Sequence, residues 1–346
     1  MNLVKNIGEK ITLVTLELVF NNKISRKFRL NKANEYLSII DLNDIKKLNA
    51  DRFMDVTQQK VFVMQEDLEI ENNLRNFVEV MNSNFSEDKL SNLYNNIIWV
   101  KVNNNKFIKI LGNKGRFKAI NNTITLGNRQ DINSLNHELM HLSSAPMDEL
   151  NPNSGGFYYE FEDGKNIGTA IDEGYTEYML KKYFDEDKDS PYEIEMSMVK
   201  EIEDFIGKDK MEELYLKGNL FGLIKILSNY FDLSKIERFI TSTDFVFNYR
   251  NKYYLTSDEE EILYSQYEEM LIFLLELYCT RLKETNNIDE ASIKEHFSDL
   301  LYGIGWNFML DENTESEIYK TINNILGINI DLSDILEQYK LKSMNL

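Results

Sequence analysis

Residues 131–144 read DINSLNHELMHLSS, and this stretch decides how the chain is to be understood. His137 and His141 stand four apart, so on a helix they lie one above the other and can offer ring nitrogens to one zinc ion. Glu138 follows the first histidine. There it can reach a water held by that metal and take its proton. At about 100° per residue, Ile132, Leu135, Leu139 and Leu142 share one helical face, with the histidines on the other. Apolar residues would anchor the helix while the imidazoles face a cleft. Asp131 is placed as its N-cap.

Working outward, composition narrows the chemistry. The chain has 346 residues, with 39 Lys and Arg against 58 Asp and Glu, a formal charge of −19. Such a balance argues against a nucleic-acid partner, which needs clustered cations on phosphates, and against docking on an anionic membrane. A single cysteine, Cys279, allows no internal disulfide and no cysteine-based zinc cluster. Imidazole chemistry must pass through His137, His141 and His296. No run of apolar residues has the length of a signal peptide or a membrane span. The expectation is a soluble, cytoplasmic protein.

A catalytic zinc site usually takes three protein ligands and keeps one position open. A downstream histidine does not provide the third, because positions 144 and 147 are Ser and Met. Residues 168–178 read GTAIDEGYTEY. On a helix Glu173, Glu177, Leu180 and Phe184 form one stripe. Two carboxylates on a stripe continued by apolar residues call for a partner. A metal on Glu173, with Glu177 hydrogen-bonded to a liganding imidazole, would be one.

The pair of motifs, His137-Glu138-x-x-His141 and Glu173-Gly174-Tyr175-Thr176-Glu177, resembles the zincin metallopeptidases. Within them it resembles the gluzincin branch, which includes thermolysin, one-zinc aminopeptidases and clostridial-type protein toxins. The resemblance covers roughly residues 116–184. It implies His137, His141 and Glu173 as ligands of one Zn²⁺ per chain, Glu138 as general base and Glu177 as support for a ligand. Residues 168–175 also resemble the Gly-Thr-x-x-Asp-x-x-Tyr signature of aspzincins, in which Asp172 would be the third ligand instead. Neighbouring residues point about 100° apart on a helix, so both acids cannot easily coordinate. Glu173 is preferred because Glu177 sits in the supporting position and Gly174 lets another backbone approach. The resemblance also implies a Tyr or His opposite the base. Tyr158, Tyr159, Tyr175, Tyr249, Tyr253 and Tyr254 are candidates, with Tyr253 or Tyr254 preferred for their place beside Arg250. His296 reads as a helix-surface residue and Cys279 as packing.

Around this core the pattern changes along the chain. Residues 11–30 alternate, a hairpin of 12–20 and 24–30 about Asn21-Asn22, and residues 33–95 read as mostly helical. Strand-like runs follow at 97–102, 107–111 and 116–126. The last run is an edge strand open to an extended peptide, or an inner strand. Helices then dominate, at 131–144, 170–184, 192–206, 219–231, 258–284 and 288–302. The fold class expected is α+β, a zincin-like core with a small mixed sheet followed by a mostly helical C-terminal half. Its domains would be 1–95, 96–190 and 191–346. The function expected is hydrolysis of peptide bonds in a peptide or protein substrate. The alternatives are a zincin-fold binding or regulatory protein that cleaves little, and an acidic interaction protein with an accidental motif.

Overall fold

A computed structural model of the protein describes residues 68–97, 100–104, 115–119, 122–128, 131–146, 155–161, 165–184, 190–250, 254–304 and 310–343. The expected hairpin at 12–30, the helical stretch before 68 and the strand at 107–111 lie outside these residues. Among the described residues there are twelve helices and a small mixed sheet near the N-terminal part, an α+β arrangement. No described helix is long and apolar enough to cross a membrane. By internal packing the chain divides into two units.

The first unit comprises residues 1–166, 179–186 and 213–220. Helix α1 (Leu68–Asn84) buries Ile70, Leu74, Phe77, Val78 and Met81 at three- and four-residue spacing, which makes one apolar stripe. Helix α2 (Ser91–Ile97) leads to the sheet, β1 (Lys101–Asn104), β2 (Gly115–Lys118) and β3 (Thr123–Leu126). The order is β1-β3-β2, with β1 parallel and β2 antiparallel to the central β3. Two sequence expectations are corrected here. Ile97 closes α2, so the first strand begins only at Lys101. The run 116–126 is two strands, broken where Asn122 takes φ +49° and its N–H reaches back to the Ala119 carbonyl at 3.2 Å. Asn tolerates that left-handed conformation better than most residues, so it can turn a chain without glycine.

Helix α3 (Ile132–Ser144) packs against β2 and β3. Leu135, Leu139 and Leu142 are fully buried, each contributing about 1.5–3 kcal/mol. Ile132, expected to join them, lies in the first turn and is 41 % exposed. The Asp131 carboxylate accepts from the Ser134 N–H at 3.1 Å, as its N-cap position predicts. At the other end the buried Asn96 side chain donates to the carbonyls of Leu142 (3.0 Å) and Ala145 (2.7 Å). A short pair, β4 (Tyr159–Glu160) and β5 (Asn166–Ile167), precedes helix α4 (Thr169–Phe184). At the end of α4, Phe184 stacks on Phe77 at 5.0 Å.

The second unit comprises residues 167–178, 187–212 and 221–346. It holds the start of α4 and helices α5 (Glu193–Ile206), α6 (Lys208–Leu216, its last residues assigned to the first unit), α7 (Leu220–Leu227) and α8 (Leu233–Tyr249). Beyond these come α9 (Ser257–Thr285), α10 (Glu290–Ile304), α11 (Glu312–Leu326) and α12 (Ser333–Ser343). The spine is α9, which packs against α5, α8, α10 and α11. It starts with a capping box, Thr256 accepting from the Glu259 N–H while Glu259 accepts from the Thr256 N–H, and ends at Asn286 with φ +52°. Phe273 stacks on Phe239 of α8 at 4.2 Å. Cys279 is buried in this spine, and burial pushes its thiol up to about 12.

Helix α5 carries three buried carboxylates, and each meets a partner from a different part of the chain. Glu195 Oε1 lies 2.6 Å from Arg250 Nη1. Glu201 Oε2 lies 3.0 Å from His296 Nε2 on α10. Glu203 accepts from the hydroxyls of Tyr175 (2.5 Å) and Tyr178 (3.3 Å) on α4. A carboxylate taken from water needs such partners, so these contacts fix where α5 can sit within its unit.

Candidate metal centre

Helix α3 sets its two histidines one turn apart. Their Nε2 atoms are 3.0 Å from each other, and the rings meet edge to face at 74°. Two nitrogens bound to one tetrahedral zinc are separated by about 3.3 Å, so little movement is needed to receive the ion. One ring nitrogen from each histidine and one carboxylate oxygen of Glu173 lie within 4.8 Å of one another. Among the described residues no other group of three or more His, Cys, Asp or Glu side chains can hold a metal ion. All three are part-buried, screened from bulk water yet reachable. Two imidazoles and a carboxylate form a donor set that suits zinc.

Glu138 lies between the histidines in sequence and is only 6 % exposed. Its carboxylate rests against Gly115 of β2, where a methyl group in place of the glycine hydrogen would stand 2.7 Å from Oε1.

Asp172, the alternative third ligand, is buried and is not part of the group. Its charge is felt instead by Asp244 on α8. Glu177 is part-buried one turn after Glu173. Beside Glu173, Gly174 lets α5 come close, since a Cβ there would fall 2.5 Å from the Glu195 Cβ and 2.6 Å from its backbone. Burial, and the nearby Glu173 charge, hold the Glu195 carboxyl above its ordinary range, while Arg250 pulls the other way. Arg250 also donates to the Pro191 carbonyl at 2.9 Å.

The start of α4 is held from a distance. Gly168, just before the helix, has φ +80° and no side chain to cap with. The buried Asp244 carboxylate does so instead, accepting from the backbone N–H of Gly168 at 2.7 Å and of Ala170 at 2.9 Å. Burial raises its pKa to about 6, with those backbone donors opposing and Asp172 adding to the rise.

The tyrosine candidates scatter. Tyr175 is buried and donates to Glu203, Tyr158 donates to Glu160 at 3.2 Å, and Tyr249 stacks on Phe245 at 4.1 Å. Tyr254 is 92 % exposed, and Tyr253 lies outside the described residues. His296 pairs with Glu201 and stacks on Tyr278 at 3.6 Å. Sequence reasoning did not pick out Gly115, Asn96, Asp244 or the Glu195–Arg250 pair. A motif search has no signal for them, because each acts across the fold. No family model, curated protein or solved structure matches the chain.

Proposed function

We propose that the chain is a zinc-dependent peptide hydrolase of the gluzincin kind, soluble in the cytoplasm, with a zincin-like core around residues 96–190. The observation that carries this reading is the convergence of His137, His141 and Glu173, with Glu138 held at the same helix turn. These three residues would hold one zinc per chain. A bound zinc supplies Lewis acidity, polarising a carbonyl and lowering the pKa of water. Glu138 accepts the proton of the attacking water and returns it to the departing amine. Glu177 is assigned a hydrogen bond to one of the imidazoles, fixing its orientation. Tyr253 or Tyr254 is the candidate partner of the developing oxyanion. The substrate is a peptide or protein. A binding protein that merely displayed zinc would need the ligands but no base, and Glu138 is therefore the residue that favours an enzyme.

The test is zinc content together with cleavage of a diverse peptide library, by wild type and Glu138→Gln. The expected result is stoichiometric zinc in both proteins. Cleavage in the variant should fall by about 10²–10⁴-fold, the usual contribution of a general base. Undiminished cleavage by Glu138→Gln would defeat the mechanism, and absence of zinc from the wild type would defeat the site.

A further inference from the structure

The pairing of β2 with β3 sets Gly115 opposite Leu126 and Phe117 opposite Ile124. Residues directly opposite in an antiparallel pair point to the same side of the sheet. Phe117, Ile124 and Leu126 therefore share a face with position 115, and Ile124 and Leu126 are fully buried there. That face is turned to α3, because a Cβ built on Gly115 points straight at Glu138, 2.7 Å from Oε1, 3.0 Å from Cγ and 3.3 Å from Cδ. Three of the four facing positions thus carry apolar side chains, and the fourth is bare where the carboxylate lies. The backbone of Gly115 does not take a left-handed conformation. The glycine is required there for space, not for chain geometry.

We propose that Gly115 is a positioning residue for Glu138, a slot in the sheet face that sets the place of the proton-accepting carboxylate. The proposal rests on the hydrolase reading above. The nearest atom a new methyl group would meet is the far end of a flexible side chain, so Ala at 115 is expected to keep the fold and move the carboxylate. Displacing a catalytic group by about 1 Å costs on the order of a hundredfold in rate.

The experiment uses the zinc-loaded full chain. Gly115→Ala should bind zinc with wild-type affinity and keep KM within about threefold, while kcat falls about a hundredfold. Its melting temperature is compared with that of Gly115→Ala/Glu138→Ala, in which the new methyl group meets no carboxylate. Any destabilisation by Ala at 115 should disappear in that background. A kcat within about threefold of wild type overturns the positioning role alone. So does an equal fall in melting temperature, or an equal failure to fold, in both backgrounds. A wild type that binds zinc and cleaves no peptide sinks the hydrolase reading and takes this role with it.

Discussion

Glu173 and Asp172 are neighbours with different surroundings. Glu173 has a carboxylate oxygen within 4.8 Å of a ring nitrogen of each histidine, whereas Asp172 is buried and its charge is felt by Asp244. Glu173→Ala is expected to lose bound zinc and Asp172→Ala to keep it, as measured by metal analysis after dialysis; the reverse pattern would make Asp172 the ligand. Behind Glu173, Arg250 and Glu195 are 10 % and 2 % exposed, and the second Glu195 oxygen has no hydrogen-bond partner among the described residues. Removing one member of such a pair leaves a buried charge uncompensated. Arg250→Met should therefore lower unfolding free energy in urea by about 3–5 kcal/mol, with most of it recovered by adding Glu195→Gln. A loss below about 1 kcal/mol would mean that water already compensates Glu195.

At the level of elements, α3 and α4 are both fastened at their ends by side chains. Asp131 and Asn96 hold α3, and Asp244 holds the start of α4. Asp244 makes stability depend on pH. Its folded pKa of about 6 exceeds its ordinary 3.8, so the folded state holds the proton more tightly than the unfolded chain. The contribution is fully present below about pH 4, declines as pH rises through about 6, and is then lost, a change of about 3 kcal/mol. Asp244→Asn keeps an acceptor for the α4 N–H groups but cannot titrate. Wild type should become less stable relative to this variant between pH 4 and 6, read from urea unfolding at each pH; a constant difference would show that Asp244 titrates normally. Helix α3 was legible because its motif, its leucines and its cap all lie within residues 131–144. The break between β2 and β3 was not, because Asn122 forms the turn with neither Gly nor Pro nearby. Asp244 was illegible for a different reason: its partners are distant in sequence, and no local pattern marks a cap supplied from another helix.

For the whole molecule, a ligand that binds only the folded state raises stability by mass action. Zinc at a hundred times its dissociation constant should add about 2.7 kcal/mol, and a chelator should remove it. A zinc-dependent rise in melting temperature that vanishes in His137→Ala/His141→Ala is the expected outcome; a rise that survives there would place the metal elsewhere. The count of −19 is also less of a surface quantity than composition suggests, since Glu195, Glu201 and Glu203 lie inside their unit. The cap on α4 carries a consequence in time. Asp244 follows Gly168 by 76 positions and Ala170 by 74, so during synthesis the helix bearing Glu173 is finished long before its cap exists. At about 5–20 residues per second a ribosome takes about 4–15 s to cover that distance. Until then α4 starts without its cap, so on the zinc reading proposed above any loading that needs a settled α4 would come late in the life of the nascent chain.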